Sequence, residues 1–384
     1  MNCRSITGLL TTITLLVSTS AAQAAISDAH AKKADAVAAN AIDFLRKAQA
    51  EDGSWSDKSG PAVTALIVGA LLEQPHIKRT DPAVKKGIDY ILGFVQEDGS
   101  IHHGVVENYS TAICLTTLAK LSDDPKIAAV IKNGRKYLHD TQWVAGKKDP
   151  QGGTIDKGHS FWGGFGYGKH GRPDASNSQF AVEAFIKTGS DCKDPEILAA
   201  VDFFSRLQGI EGNKMFGDKI EPTGGAIYAT SENKEKIGIP QSQAGDIKME
   251  DGSSKLKTYG SMTYAMFKTY VYAELDAKDP RVVAAKRWIS ENYNLDHNPG
   301  MPDDVKYQGY YYYLLTFARA LYAHGYETID TTSGKRNWAQ DLIDKLASLQ
   351  KADGSWINEA DRWLEGDPNL VTGYALTALN AARQ

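Results

Sequence analysis

Two polar residues three positions apart, Asp174 and Asn177, are the pair in this sequence best suited to catalysis. They stand at the predicted start of a helix, where residues three apart share one face. A carboxylate at this place could act as general acid or base while the neighbouring amide orients a substrate. Asp174 also has a purely structural interpretation, because aspartate is a preferred N-cap residue.

A set of aromatic and polar residues near this and similar helix starts is predicted to bind a ligand. The set consists of Trp162, Phe165, Tyr167, His170, Arg172, Gln179, Tyr109, Tyr259, Tyr307, Tyr311, Trp363 and Asp367. Tyrosine-rich cavities suit sugars through stacking and hydrogen bonds, and they suit terpenoids or cations through contacts with the rings. Helix N-termini, with Lys169, His170 and Arg172 nearby, would favour an anionic group on the ligand. The alternative is that the rings only pack between helices and that Asp367 only caps one.

Neither a metal site nor a cofactor is predicted. His102, His103 and His297 have no partners at metal-ligand spacing, so we interpret them as loop histidines. The adjacent carboxylates Asp303 and Asp304 are isolated in a loop that contains proline. We interpret this pair as a cap for the helix that follows.

A repeated turn motif indicates how these residues are positioned. The sequence Gln-Ala-Glu-Asp-Gly-Ser-Trp at positions 49–55 returns as Gln-Lys-Ala-Asp-Gly-Ser-Trp at 350–356, and a shortened copy lies at 96–101. Asp-Gly turns the chain because glycine tolerates positive φ. Each copy follows an amphipathic run and precedes an apolar run, so each marks a hairpin of two helices. One hairpin cannot bury its apolar face alone, so the copies must stack.

The order of the predicted helices indicates an all-α barrel. Six outer helices, four of which begin with Asp-Pro, alternate with six apolar inner helices. The first and last motif copies match each other best and loop lengths vary, which favours a closed ring over an open array. We predict one domain over residues 25–384, with long insertions at about 143–174 and 209–257. Cys114 and Cys192 would lie at opposite ends of parallel inner helices, too far apart for a disulfide.

Residues 1–24 have the features of a secretory signal peptide. Arg4 precedes an apolar stretch at 6–17, and Ala-Gln-Ala at 22–24 forms a cleavage signal. We therefore predict an exported protein, periplasmic or secreted, with cleavage near Ala24. The formal net charge of −4 gives no reason to expect nucleic acid as a partner. No later stretch is long and apolar enough to cross a membrane, and the oligomeric state stays open.

The repeated Gln-x-x-Asp-Gly-Ser-Trp hairpins resemble the prenyltransferase and squalene-cyclase repeat family over nearly all of the chain after position 24. The resemblance implies a closed (α/α)6 toroid of six helical hairpins, with an aromatic funnel where the inner helices begin. The cyclases of that family carry an Asp-x-Asp-Asp-Thr-Ala acid motif, whose central carboxylates are replaced here by Ser176 and Asn177. The zinc ligands of the prenyltransferases are not matched around Cys114 or Cys192 either. The resemblance therefore implies the fold, while the family chemistry is not carried over.

Three functions remain open from the sequence. The first is a terpenoid-cyclase-like or prenyltransferase-like protein that acts on, or binds, an isoprenoid ligand in the funnel. The second is a carbohydrate-active barrel, a lyase or a glycan binder, and the third is a non-catalytic binding or scaffold module. Whether the protein is an enzyme stays open. The polarity of the lumen separates the three: a deep apolar pocket favours the first, an open polar groove the second, and a plugged barrel the third.

Overall fold

The computed structural model describes residues 26–56 and 60–384 of the chain. The predicted signal peptide, residues 1–24, lies outside the described residues. In the described part the chain forms twelve α-helices and two short β-hairpins. None of these helices is long and apolar enough to span a membrane.

The helices alternate between an outer and an inner set. The outer helices are α1 (Asp28–Ala48), α3 (Pro82–Leu92), α5 (Pro125–Thr141), α7 (Pro195–Leu207), α9 (Pro280–Glu291) and α11 (Trp338–Leu349). The inner helices are α2 (Pro61–Leu72), α4 (Glu107–Leu118), α6 (Ala175–Lys187), α8 (Gly260–Tyr272), α10 (Tyr310–His324) and α12 (Pro368–Arg383). An outer helix such as α1 buries one stripe, from Ala34 to Leu45, whereas α2 is buried on every side from Pro61 to Leu71. This difference is expected when one layer of helices encloses another.

The six helical hairpins close into a ring. Each inner helix packs against the inner helices of the neighbouring hairpins, and α12 packs against α2. The outer helices α1 and α11 are also in contact. Gln350, which ends α11, donates from Nε2 to the carbonyl oxygen of Val37 in α1 at 2.9 Å. The prediction of a closed all-α toroid is therefore confirmed.

Glycines in the turns allow each hairpin to approach the next outer helix. Gly53, Gly99, Gly163, Gly224 and Gly354 all have φ between 81° and 92°, a region that favours glycine. A Cβ atom added to Gly163 would lie 1.8 Å from the carbonyl oxygen of Ala199 in α7. The two Gly-Gly segments at 163–164 and 224–225 are thus the turns of their repeats.

Glutamine side chains tie four of the six turns to the neighbouring hairpin, whereas Gln96, among the described residues, bonds only within its own turn. Gln49 donates to the carbonyl oxygens of Gly53, in its own turn, and of Ala83, in the first turn of α3. Gln208 makes the same two bonds with Gly224 and with Arg281 of α9. Gln142 and Gln350 repeat this arrangement. The side-chain amide of a glutamine needs such partners when it is shielded from water.

The lumen is filled with charged side chains at the C-terminal ends of the inner helices. Glu183 of α6 accepts hydrogen bonds from Lys268 of α8 at 2.6 Å and from Arg319 of α10 at 2.5 Å. Arg319 also lies 3.3 Å from Glu73, which is bonded to Lys120. Cations are stabilised at helix C-termini, where the helix dipole is negative. This network, which we call the ionic plug, leaves a space of only about 20 Å³ beside it.

Two short β-hairpins and two buried cysteines complete the described structure. Strands β1 (Asp246–Lys248) and β2 (Ser254–Leu256) pair antiparallel in the segment before α8, and β3 (Ile329–Thr331) pairs with β4 (Gly334–Arg336) before α11. Cys114 and Cys192 are buried and unbonded to each other. That they form no disulfide stays a prediction of the sequence analysis, with which the structure is consistent.

Candidate functional site

The N-terminal ends of the inner helices surround a cavity of about 520 Å³, a volume typical of small-molecule sites. All six inner helices, or the residues directly before them, contribute to its wall. The apolar part of the wall consists of Ala62, Val63, Val105, Val106, Met262, Trp363, Leu364 and Leu370. The polar part consists of Tyr109, Tyr167, Tyr228, Tyr259, Tyr312, Tyr374, Ser176, Ser261, Gln243, Asn298 and Glu365. We call this space the central cavity.

The hydroxyl groups of the wall are arranged in pairs. Tyr109 and Tyr374 lie 3.0 Å apart at their hydroxyl oxygens. The hydroxyl oxygens of Ser176 and Tyr312 lie 2.9 Å apart, and those of Tyr167 and Tyr228 lie 3.4 Å apart. Burial raises the pKa of Tyr109 to about 12, and it raises the pKa of Tyr312 as well. These phenols are therefore neutral at physiological pH and can donate hydrogen bonds.

One carboxylate, Glu365, belongs to the wall in the described part of the chain, and the sequence did not single it out as a site residue. Its oxygens accept from the backbone N–H of Tyr312 at 2.7 Å, from that of Tyr311 at 3.3 Å, and from Asn358 Nδ2 at 2.6 Å. Burial raises the pKa of Glu365 to about 7, although these donors favour the ionised form. Glu365 thereby fastens the loop before α12 to the start of α10.

We expect Glu365 to make stability depend on pH. Its folded-state pKa of about 7 lies above the ordinary value of 4.5, so between these values the folded protein holds a proton that the unfolded chain has released. The free energy of unfolding should therefore rise as the pH falls from about 7 to about 4.5. Urea denaturation of the wild type and of Glu365→Gln at several pH values isolates this contribution as the difference between the two profiles. A difference that stays constant with pH would contradict it.

Two loops at the mouth of the central cavity combine backbone strain with exposed apolar side chains. Val106, Trp363 and Leu364 have φ of 46°, 57° and 66°, which non-glycine residues, and β-branched ones above all, avoid. The residues Val105, Trp363 and Leu364 are 58%, 45% and 58% exposed. Strain of this kind concentrates at functional sites. These loops form the rim that a ligand would pass.

Asp174 and Asn177 lie beside the central cavity but outside its wall. Asp174 is fully buried and accepts two hydrogen bonds from Asn177, one from the backbone N–H and one from Nδ2, each at 2.9 Å. Burial raises the pKa of Asp174, an effect that Arg172, 3.9 Å away, partly offsets. In this geometry the carboxylate caps α6. The wall residue on this helix is Ser176.

A substitution at Asp174 separates a capping role from a catalytic one. Asp174→Ala should lower the free energy of unfolding by about 1 kcal/mol, as the loss of an N-cap does. Asp174→Asn keeps an oxygen that can accept from the N–H of Asn177, so it should cost less. Thermal melting measures both variants. If Asp174→Asn keeps the melting temperature but abolishes a ligand-dependent activity, the predicted catalytic role holds, and an unchanged activity means that Asp174 is a cap.

The structure brings four of the predicted ligand-binding residues to the wall: Tyr109, Tyr167, Tyr259 and Trp363. The other eight lie elsewhere. Trp162 bonds to Asp202 on the outer side, and Phe165 is buried against Phe185. His170 and Tyr307 are exposed.

The remaining four predicted residues make hydrogen bonds at the starts of the inner helices or in the layer behind the wall. Arg172 is bonded to the carbonyl oxygen of Glu232 and to Gln241. Gln179 donates to the hydroxyl of Tyr312 at 3.3 Å. Tyr311 contributes its backbone N–H to Glu365, and Asp367 accepts from the N–H of Asn369 as the cap of α12.

The sequence analysis did not predict several of the wall residues, although the sequence contains patterns that point to two of them. Tyr228 belongs to the Gly-Gly-x-x-Tyr segment that echoes the one ending at Tyr167, so the echo could have identified it. Tyr312 is one of four consecutive tyrosines at the start of α10, and periodicity from Tyr307 selects its neighbours instead. No local pattern distinguishes Tyr374 or Glu365. Across the described residues, no group of three His, Cys, Asp or Glu side chains is arranged to hold a metal ion.

Comparison with known proteins identifies relatives by structure alone, since neither a family model nor a curated protein matches the sequence. A D-mannose isomerase aligns with a TM-score of 0.55 at 10% identity, over 92% of this chain and 99% of that chain. A family 76 glycoside hydrolase, a mannosidase of Bacteroides thetaiotaomicron, aligns with a TM-score of 0.51 at 11% identity, over 92% of this chain and 98% of that chain. The type II terpene cyclase MstE of Scytonema aligns with a TM-score of 0.48 at 12% identity, over 91% of this chain and 98% of that chain. The first two likenesses support the conclusion that this chain folds as an α/α toroid.

Proposed function

We propose that the protein binds a hydrophobic small molecule of the isoprenoid or terpenoid class in the central cavity. The observation that carries this proposal is the wall itself, in which aliphatic side chains, six tyrosines and a tryptophan enclose about 520 Å³. Removing apolar ligand surface from water is worth roughly 25 cal/mol per Å², so such a wall favours an apolar ligand. The ionic plug closes the far end of the lumen, so ligand entry is from the rim.

The wall supports binding more directly than it supports catalysis. Glycoside hydrolysis generally requires two carboxyl groups about 5–9.5 Å apart, and Glu365 is the one carboxylate that the described residues place in the wall. Protonation of an unactivated alkene requires a strong acid, whereas burial holds the pKa of Glu365 at about 7. Asp174 is engaged by Asn177. We therefore place Asp174 and Asn177 in a positioning role, holding the helix that carries Ser176.

A glycan is the second candidate ligand, and the exposed rings at the mouth favour it. Tyr167 and Trp363 are 43% and 45% exposed, and such rings stack on sugars. Two proteins with this fold are named for mannose or mannosides. Against this candidate, six of the eight hydroxyl groups of the wall bond to one another, so each pair offers a polyhydroxyl ligand only one spare hydrogen.

The place of action that we propose is outside the cytoplasm. The basic residue Arg4, the apolar stretch at 6–17 and the small residues at 22–24 support this proposal. N-terminal sequencing of the exported product tests it, with a first residue near position 25 as the expected result. A mature chain that retains position 1 would contradict it.

Ligand identification tests the proposed function. The purified mature protein is incubated with lipid extracts and with a panel of polysaccharides, and species that co-purify are identified by mass spectrometry. We expect isoprenoid or terpenoid molecules in the lipid arm. Retention of glycans alone would favour the second candidate, and retention of neither would contradict binding in the cavity.

A matched pair of variants assigns the bound species to the cavity. Ala62, at the start of α2, belongs to the wall, so Ala62→Phe should fill part of the cavity and weaken binding at least about tenfold. Ala36 is exposed on the outer helix α1, so Ala36→Phe adds the same ring without touching the cavity. Equal loss of the ligand from both variants, or from neither, would mean that it binds elsewhere.

A further inference from the structure

The wall of the central cavity contains no lysine, arginine or histidine in the described part of the chain. Two arginines lie beside wall residues. The guanidinium of Arg172 is already bonded to Glu232 and Gln241 and lies 5.1 Å from the ring centre of Tyr228. That of the exposed Arg362 lies 4.9 Å from the ring centre of Trp363, at the rim. An ionised group is costly to move into an apolar site unless an opposite charge meets it. A diphosphate or carboxylate head group inside the cavity would find no such partner in the wall.

Four of the six helix N-termini at the mouth are already occupied by side chains of this chain, whereas α2 and α4 have no side-chain cap within the described ranges. Asp174 accepts from the first turn of α6, Glu365 from α10 and Asp367 from α12. At α8, the N–H of Ser261 donates to the Asn298 side chain at 3.1 Å. The sequence suggested that these N-termini would attract an anionic group. Because the N–H groups of these four helix starts already have acceptors, they are not available to a further anionic group.

The paired hydroxyl groups retain hydrogen-bonding capacity. Ser176 and Tyr312 have two hydroxyl hydrogens between them, and their mutual hydrogen bond uses one. Behind them, the Gln179 side chain is about 1% exposed and its Nε2 donates to the Tyr312 hydroxyl. Its Oε1 has no partner among the described residues. A spare donor therefore lies on the wall at Ser176 and Tyr312, and the unpartnered oxygen of Gln179 lies in the layer directly behind it.

We infer that the ligand is an uncharged isoprenoid alcohol whose hydroxyl group binds at Ser176 and Tyr312, with the Gln179 amide supporting the Tyr312 hydroxyl. A hydroxyl group both donates and accepts, so it can accept the spare hydrogen of this pair and donate to a lone pair of the Ser176 oxygen. The apolar chain of the alcohol lies against the aliphatic side of the wall, including Val63 and Leu370. This inference rests on the proposed function and narrows the ligand class.

Three probes with one carbon skeleton test the inference by isothermal titration calorimetry: farnesol, farnesyl diphosphate and the hydrocarbon farnesane. We expect farnesol to bind about threefold to tenfold more tightly than farnesane, the gain of one net hydrogen bond. Farnesyl diphosphate should bind at least about tenfold more weakly than farnesol. Tightest binding of the diphosphate would overturn the inference and leave the proposed function standing. If none of the three binds, the proposed function itself fails.

Variants locate the hydroxyl site. Tyr312→Phe and Ser176→Ala should each reduce the affinity for farnesol to about that for farnesane, with farnesane affinity unchanged. Tyr293→Phe is the matched control, because the Tyr293 hydroxyl bonds to Asp341 outside the cavity, and it should leave all three affinities unchanged. Circular dichroism checks that each variant is folded. A loss that is equal for farnesol and farnesane in both cavity variants would overturn the assignment.

Discussion

Replacing Trp356 by alanine is expected to lower the free energy of unfolding by about 3–5 kcal/mol, the usual cost of deleting a large buried aromatic side chain. Trp356 is fully buried, and its Nε1 donates to the carbonyl oxygen of Leu346 at 3.0 Å. Its backbone N–H donates to Thr372 of α12. The side chain thus joins the end of α11 to the start of α12, beside the contact with α1 that closes the ring. Urea denaturation at fixed pH measures the loss.

Trp363→Ala provides the control for this substitution. Trp363 is 45% exposed at the rim, and its ring leaves no buried cavity when it is removed, so the loss should stay below about 1 kcal/mol. Trp55→Ala should behave like Trp356→Ala, because Trp55 is also fully buried and donates to Leu45. If Trp356→Ala and Trp363→Ala cost the same, the tryptophan of the motif does not hold the hairpin together.

The fold could be predicted because its turn chemistry is local in the sequence. In the first and last hairpins the glutamine, the glycine and the tryptophan all fall within seven consecutive positions, 49–55 and 350–356. Glycine is required there by φ near 90° and by the close approach of the next outer helix. Because these requirements act within a few consecutive residues, they produce a motif that can be recognised in the sequence.

The same motif could not be recognised in the sequence where the chain between its glutamine and its glycine is longer. Gln142 bonds to Gly163, 21 positions later, and Gln208 bonds to Gly224, 16 positions later. In both turns the bonds and the glycine conformation match those of the first hairpin, yet no contiguous motif remains. The glycine pairs were recognisable as turns, whereas their glutamines were not. The glutamine and the glycine therefore keep their positions in space, although they are no longer close in the sequence.

The site was harder to predict than the fold because its wall is assembled from distant segments. Helical periodicity counted from Tyr307 points to Tyr310 or Tyr311, but α10 begins only at Tyr310, after a left-handed Gly309, so the helix phase is reset. It is Tyr312 that faces the cavity. Glu365 reaches α10 from a loop more than fifty residues away, across backbone that is strained at Trp363. Neither the position at which α10 begins nor the long-range contact of Glu365 can be recognised from the residues next to it in the sequence.

Glu183→Gln is expected to destabilise the protein by about 3–5 kcal/mol, because it removes the charge that compensates two buried cations. Glu183 and Lys268 are 1% and 2% exposed at their side chains, and their charged atoms lie 2.6 Å apart. Arg319 retains a second carboxylate, Glu73, at 3.3 Å, whereas Lys268 would be left unpaired. Chemical denaturation of the variant at neutral pH measures the loss.

The pH dependence of this loss identifies its cause. Burial opposes ionisation of Glu183, but Arg319 and Lys268 outweigh it and lower its pKa to about 2. The wild type therefore loses this contribution to stability only as the pH falls below about 4.5 towards 2. Burial lowers the pKa of Lys268, and Glu183 partly offsets that effect. In Glu183→Gln the offset is gone, so stability should recover as the pH rises and Lys268 loses its proton.

A second substitution decides between an unpaired charge and a packing defect. Lys268→Met in the Glu183→Gln background removes the buried ammonium group while keeping most of its volume. Because replacing a buried ion pair by apolar groups is often neutral, the double variant should recover most of the loss. A double variant as unstable as Glu183→Gln alone would mean that the ionic plug acts through shape rather than charge. Recovery would show that Lys268 requires Glu183, and that the plug closes the barrel by pairing charges where the inner helices end.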